Sequence, residues 1–119
     1  MGDFKNLEVW KKSKNLAVDI YKMTENGKFK KDFNLKDQIR RSAVSIPSNI
    51  AEGDERLTNK ESIRFFYIAN GSIAELITQL IISNEIGYIS DSECKRYVNE
   101  LENISKMIKS LIKYRSGYV

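Results

Sequence analysis

Apolar residues recur at intervals of three and four along almost the whole 119-residue chain. This spacing is typical of α-helices that bury one face, and the sustained alternation of a half-buried strand is missing. The pattern predicts four amphipathic helices, over about residues 4–24, 35–53 and 59–86 and from Cys94 onwards. The apolar seam of the fourth comes close to an a/d heptad.

The segments between these helices carry signals for helix ends and starts. Glycine suits the left-handed position that follows a helix, and a Ser or Thr followed three residues later by Glu forms a capping box at a helix start. The signals are Gly27 and Gly87 for the ends, and Thr58 with Glu61 and Ser90 with Glu93 for the starts. Such short links place consecutive helices antiparallel. The predicted fold class is therefore all-α, an antiparallel up-down-up-down four-helix bundle, with residues 1–119 as a single domain.

The composition limits both location and chemistry. There is no histidine and one cysteine, Cys94, so the chain can form neither an internal disulfide nor a Cys/His zinc site. A lone thiol fits a reducing cytoplasm. No run approaches the roughly 18 uninterrupted apolar residues of a membrane span, and no export signal is recognisable near residue 1. We expect a soluble cytoplasmic protein with no membrane partner.

The same composition argues against an enzyme. Histidine, the commonest general base, is absent, and no glycine-rich phosphate loop or activated nucleophile is present. Two-metal sites in helical bundles use Glu-x-x-His pairs, which this chain cannot supply. We expect no catalytic residues, no metal and no cofactor.

One predicted helix interrupts itself. Residues 38–53 read QIRRSAVSIPSNIAEG, in which Pro47 removes the amide that would bond to Ala43, at a cost of about 3 kcal/mol unless the helix kinks or ends. Short polar side chains can bond the freed carbonyls or bridge to a neighbouring helix. Those available are Ser42, Ser45, Ser48 and Asn49. Two interpretations stay open: a kinked core helix, or a kink that directs residues 49–53 towards a partner.

A second patch of small residues lies in the third helix at residues 69–74. Gly71 costs roughly 1 kcal/mol relative to alanine in a helix, which would be reasonable if another backbone came close there. We expect the two patches to face each other, so that Ser45, Asn49 and Glu52 lie near Asn70, Ser72 and Glu75. Such a polar layer would fix the helix register or, alternatively, carry chemistry.

Four stretches of the chain, residues 7–21, 35–53, 65–80 and 85–90, resemble a bacterial family: the four-helix bundle proteins encoded within intervening sequences of 23S ribosomal RNA genes. Accessory proteins of diversity-generating retroelements look similar. The matching signature residues are Gln38, Arg40, Arg41, Ser45, Pro47, Asn49, Glu52, Gly53, Arg56, Gly71, Ser72 and Glu75. The resemblance implies a homopentamer with a basic surface for RNA or DNA, and no established catalytic residues.

The net charge is +4, and counting along the chain places the excess in residues 1–60, with 13 Lys/Arg against 9 Asp/Glu. This favours a polyanion partner, although solubility alone would require a similar charge. Candidate phosphate contacts are Lys11, Lys12, Lys36, Arg40, Arg41, Arg56, Lys60 and Arg64. Alternatively, one of Arg40 and Arg41 pairs with Asp37 or Glu52 while the other is solvated. No base-reading motif is present, so binding would be led by charge and shape.

The function that we predict is a non-catalytic, homo-oligomeric nucleic-acid-binding protein. The alternative is an assembly or adaptor module that holds a protein partner, such as a polymerase, without touching nucleic acid itself. Aromatic residues beyond the helix seams would support the adaptor, or would instead staple loops and close a subunit interface. They are Phe4, Phe29, Phe33, Phe65 and Tyr67.

Overall fold

The computed structural model describes residues 2–117, and within them it contains helices and no strand. The four long helices are α1 (Glu8–Met23), α2 (Phe33–Asp54), α3 (Asn59–Glu85) and α4 (Asp91–Ser116), with short 3-10 helices at Phe4–Asn6 and Gly27–Lys30. Each helix packs against the next, and α1 also packs against α4. The predicted all-α four-helix bundle is confirmed, with overall dimensions of 44 × 21 × 20 Å.

The predicted helix boundaries lie close to the observed ones, because the predicted capping contacts form at the helix ends. Ser90 and Glu93 form the full capping box, and the Thr58 hydroxyl accepts from the Glu61 amide at 3.2 Å. Gly87 follows the end of α3 with the expected positive φ angle, 82°. Gly27 also has a positive φ angle, 68°, but it does not end α1, because α1 ends at Met23 and Gly27 begins the Gly27–Lys30 turn. The first helix is shorter than predicted, because Leu7 is extended and separates the Phe4–Asn6 turn from α1.

One hydrophobic core runs through the bundle and receives side chains from all four long helices. Phe29 joins it from the link between α1 and α2, where its ring packs edge-on against Tyr88 at 5.1 Å. Phe29 therefore staples this link to the core. The largest core side chains include Leu16, Ile20, Ile39, Ile46, Phe66, Leu76, Leu101 and Ile108.

Pro47 lies inside α2, which is helical on both sides of it from Phe33 to Asp54. The Ser45 hydroxyl meets the Ser72 hydroxyl of α3 at 2.8 Å, and the Asn49 amide donates to the Ser45 carbonyl at 2.8 Å. Ser45 thus bridges α2 to α3 and Asn49 bonds a carbonyl of its own helix, the two roles expected of short polar side chains near Pro47. The rest of the expected polar layer is different, because Asn70 accepts from Ser105 of α4 and Glu52 pairs with Arg56.

The two helical glycines have roles that the sequence did not predict. Gly53 was expected to end α2, but it is buried inside the helix, and a Cβ there would lie 2.5 Å from the Phe66 ring. A close approach was expected at Gly71, but Gly71 is exposed and a Cβ there would meet nothing within 4 Å. Gly53, and not Gly71, is therefore where α2 and α3 come close.

A buried ion pair closes the end of the bundle where α2 and α4 end and α3 starts. The Arg115 guanidinium donates to the Asp54 carboxylate at 2.7 Å and to the Ser62 hydroxyl at 3.1 Å. The Asp54 side chain is only 6% exposed. This three-residue contact, which we call the Arg115 clamp, connects three helices and was not expected from the sequence.

By length and composition, α3 is also a helix that could cross a membrane. It contains an 18-residue window of mean hydropathy 1.4, of which 33% is buried in the bundle. A core helix of a soluble protein satisfies the same criteria, so this is weak support for a membrane span. It does show that α3 carries more apolar residues than its buried face requires.

Candidate nucleic-acid interface

The positive charge is concentrated at one end of the bundle. Because the helices are antiparallel, residues 2–15, 44–72 and 104–117 lie in the same half, which we call the basic half. It carries 11 Lys/Arg against 6 Asp/Glu, whereas residues 16–43 and 73–103 carry 9 against 10. The basic half thus has a net charge of +5 and the other half one of −1, so the bundle is strongly polarised along its length.

The structure does not bring the eight predicted phosphate contacts together. Five of them lie in the basic half, and three lie in the opposite half, within α2. Lys36 on one side and Arg56 and Lys60 on the other lie far from the line between the halves and on separate surfaces, whereas Arg41 and Lys12 lie within about one helical turn of it. The basic half holds Lys11, Lys12, Arg56, Lys60 and Arg64, and the opposite half holds Lys36, Arg40 and Arg41.

Arg40 makes its contacts within the chain. Its Nε donates to the Thr24 hydroxyl at 2.8 Å, and its Nη2 donates to the Tyr21 carbonyl at 3.1 Å and the Glu25 carboxylate at 2.9 Å. The guanidinium also lies 4.4 Å from the centre of the Tyr21 ring. The expected partners Asp37 and Glu52 were wrong: Arg40 instead connects α2 to the end of α1.

Replacing Arg40 by alanine should lower the free energy of unfolding by about 2 kcal/mol, because hydrogen bonds to a charged donor are lost around the buried Thr24. Little of this loss comes from Glu25, which is largely exposed. Arg41→Ala is the matched control and should change stability by less than about 0.5 kcal/mol, since Arg41 is exposed. Urea unfolding followed by circular dichroism measures both, and equal losses would contradict this role for Arg40.

Arg41 lies at a polar cleft between α2 and α3, with a volume of about 350 Å³. Within residues 2–117 the Arg41 guanidinium forms no ion pair. The Gln79 Oε1 atom at this cleft is buried and has no hydrogen-bond partner in the structure. The cleft therefore offers both a cation and an acceptor to a polar group. Its lining residues are Gln38, Arg41, Ser42, Ser45, Glu75 and Gln79.

In the basic half, two arginines surround an aromatic ring. The Arg56 and Arg64 guanidinium groups lie 4.7 and 5.8 Å from the centre of the Phe65 ring, and Arg56 also pairs with Glu52. Lys60 is exposed beside them. Arginines next to an aromatic ring are suited to phosphates and unpaired bases. We call Arg56, Lys60, Arg64 and Phe65 the α2–α3 cluster.

The other predicted lysines have simpler surroundings. Lys11 is exposed and pairs with Glu8 at 3.5 Å. Lys12 is exposed at the groove between α1 and α4. Lys36 lies in the opposite half, where its ammonium group is 5.0 Å from the centre of the Phe33 ring. Lys11 and Lys12 therefore contribute to the basic half, and Lys36 does not.

Sequence analysis missed a row of lysines on α4. Lys106, Lys109 and Lys113 are all exposed in the basic half, and the structure shows no ion pair for them among residues 2–117. Lys106 and Lys109 line a groove of about 410 Å³ between α3 and α4. Their spacing of three and four residues was the available signal, but counting charge along the chain assigned them to a neutral half.

Three ionisable groups have pKa values that are raised by their surroundings. Burial, with a smaller contribution from Asp91, raises the pKa of the Cys94 thiol, so the reactive thiolate is disfavoured at neutral pH. The hydrogen bond to Asp32 raises the pKa of Tyr88, and burial raises that of Tyr97. These three groups serve the packing of the bundle.

The fold and this surface define a class of protein: a small all-α up-down bundle with one basic end. The family model of the 23S rRNA-intervening sequence protein matches residues 5–110, and this chain belongs to that family.

A solved structure supports the assignment. It is a protein of unknown function from the S23 ribosomal protein family of Bacteroides thetaiotaomicron, 30% identical, with a TM-score of 0.81. The alignment covers 88% of this chain and 98% of that one. Among curated proteins no match was found.

Proposed function

We propose that this protein is a non-catalytic, homo-oligomeric nucleic-acid-binding protein of the cytoplasm, which contacts RNA or DNA through the basic half. The observation that carries the proposal is the polarity of the bundle, +5 in one half against −1 in the other. Phosphates are bound by Lys and Arg that release condensed counterions, and this requires cations that are exposed and grouped. Lys60 and Arg64 of the α2–α3 cluster and the α4 lysines satisfy both conditions.

Assembly strengthens this surface. The family resemblance suggests a pentamer, in which a net charge of +4 per chain becomes about +20. Cyclic symmetry gives every subunit the same orientation towards the ring axis, so the basic halves occupy equivalent positions around the ring. A nucleic acid then meets several basic halves at once, and weak single contacts add up to useful avidity.

The proposal predicts that Lys60→Ala/Arg64→Ala weakens binding of single-stranded and hairpin RNA and DNA oligonucleotides at low salt by about tenfold. The same variant should make the slope of log affinity against log salt less steep. The decrease in steepness is about 2 when both residues of a subunit contact phosphates, since each contact contributes nearly 1 to the slope. Fluorescence anisotropy over a salt titration measures both quantities.

The matched control is Lys30→Ala/Lys95→Ala, which also removes two exposed positive charges but from the opposite half. Its affinity should stay within about twofold of the wild type, because those charges lie outside the basic half. Equal losses in both double variants, or an affinity that does not change with salt, would overturn the proposal.

A second candidate function is an adaptor for a protein partner, in keeping with the likeness to accessory proteins of diversity-generating retroelements. The observation that favours it is a set of exposed apolar side chains: Leu57 is 87% exposed, Phe33 66% and Tyr67 61%. A pull-down from the native host, with and without nuclease, separates the two functions. A protein partner that survives nuclease, together with no affinity for oligonucleotides, would favour the adaptor.

A further inference from the structure

The outer face of α3 carries apolar residues that nothing in the chain covers. Ile68, Ile82 and Ile86 are each between 41% and 49% exposed, along a helix whose opposite face is fully used in the core. Glu75 and Glu85 are also exposed on α3 and form no ion pair among residues 2–117. We call these five residues the α3 ridge. A ridge of this composition is typical of a contact with another molecule.

A groove that is also apolar, but is flanked by positive instead of negative charges, lies between α1 and α2. Its volume is about 440 Å³, and its walls are almost entirely apolar apart from Lys14 and Lys22. Val18, Tyr21 and Val44 are each 40–44% exposed along it. Neither lysine has a carboxylate partner within the part of the chain that the structure describes. The apolar lining consists of Ala17, Val18, Tyr21, Val44 and Pro47, and we call this the α1–α2 groove.

The ridge and the groove complement each other in charge and in the spacing of those charges. The groove has its two cations eight residues apart on α1, or about 12 Å along the helix axis. The ridge has its two carboxylates ten residues apart on α3, or about 15 Å. Two apolar surfaces thus carry opposite charges at similar spacing. This agreement makes a second copy of the chain the occupant that fits best.

We propose that the α3 ridge of one subunit packs into the α1–α2 groove of the next, and that this contact builds the homo-oligomer. The inference rests on the oligomeric state in the proposed function and adds the surfaces that form it. The two surfaces are different, one on α3 and the other between α1 and α2, so the contact is heterologous. Heterologous contacts repeat from subunit to subunit and close into a ring when the rotation allows.

The first experiment breaks each surface separately. Val44→Glu places a carboxylate in the groove, opposite the acidic ridge, and Ile82→Lys places a cation on the ridge, opposite the basic groove. Each variant should be a folded monomer of about the chain mass, 13.8 kDa, by analytical ultracentrifugation and circular dichroism. Leu57→Glu and Leu57→Lys are matched controls on an exposed loop residue and should keep the wild-type mass.

Mixing the two variants tests whether the contact is heterologous. Val44→Glu retains an intact ridge, and Ile82→Lys retains an intact groove. An equimolar mixture should therefore associate at least to a 1:1 dimer of about 27.6 kDa, because the intact ridge of one variant meets the intact groove of the other; the two altered surfaces carry opposite charges and can extend this dimer. A symmetric contact, in which the same surface meets itself, predicts no such dimer.

Three results would overturn the inference: a monomeric wild type, variants that keep the wild-type mass, or a mixture that stays monomeric although both variants are folded. Flotation of the wild type with phosphatidylcholine vesicles, abolished by Ile82→Lys, would identify lipid as the occupant of the ridge and would also overturn it. Oligonucleotide affinity is measured separately on the same variants. Monomers that still bind RNA or DNA would therefore leave the nucleic-acid function intact.

Discussion

Replacing Arg115 by alanine is expected to lower the free energy of unfolding by about 3–5 kcal/mol, the range typical when one partner of a buried ion pair is removed. The Arg115 side chain is 20% exposed and that of Asp54 6%, so the carboxylate left behind would remain buried without its cation. The Ser62 hydroxyl would lose its donor as well. Because the clamp connects three helices, its loss should loosen the whole end of the bundle.

Urea unfolding followed by circular dichroism at neutral pH gives this value directly. The matched control is Arg96→Ala, which removes an exposed arginine of the same helix whose contact to Glu100 is 3.9 Å long. The Arg96→Ala control should lower the free energy of unfolding by less than about 1 kcal/mol, because exposed ion pairs contribute little to stability. In Arg115→Ala/Asp54→Leu the unpaired charge is also gone, so part of the loss should be recovered. Similar losses for Arg115→Ala and Arg96→Ala would show that the clamp is not a buried ion pair in solution.

The helices could be predicted from the sequence because the signals that specify them are local. For α3, the apolar seam and the Thr58 cap gave residues 59–86, and the structure has Asn59–Glu85. Gly87 was predicted to be left-handed and is, because a residue that follows a helix end depends mainly on its own backbone. The α2 end was misplaced by one residue because Gly53 was interpreted as a stop signal.

The contacts between helices could not be predicted in the same way. As an alternative to phosphate contact, one of Arg40 and Arg41 was expected to pair with Asp37 or Glu52 on the same helix, yet Arg40 contacts Thr24 and Glu25, which precede α2 by a loop. The Arg115 clamp joins residues more than 50 positions apart. The facing residues of two helices depend on their rotation about their own axes, and a hydrophobic seam determines that rotation too coarsely to select polar partners.

The basic half shows how topology changes the interpretation of the same charges. Along the chain, Lys106, Lys109 and Lys113 fall in a segment with no net charge, whereas in the antiparallel bundle they lie at the same end as Arg56, Lys60 and Arg64. The topology was predicted correctly, so this polarity could have been derived before the structure by counting charge along the bundle axis. The cleft at Arg41 and the burial of Gln79 Oε1 required coordinates.

The two helical glycines provide a test in which one substitution should have opposite effects at two sites. At Gly53 an alanine Cβ would lie 2.5 Å from the Phe66 ring and 3.0 Å from the Ser62 carbonyl, so the helices must separate or the ring must move. Gly53→Ala should therefore destabilise the bundle by about 1–3 kcal/mol, as overpacked cores usually do.

At Gly71 the same methyl group would meet open space, and alanine loses less backbone entropy than glycine when a helix forms. Gly71→Ala should therefore stabilise the bundle by about 0.5–1 kcal/mol. Since Gly71 lies on the outer side of α3, both variants are compared in the Ile82→Lys background, where assembly is expected to be broken and cannot contribute. Urea unfolding measures the difference, which should reach about 1.5–4 kcal/mol, and two changes of the same sign would mean that α2 and α3 do not approach most closely at Gly53.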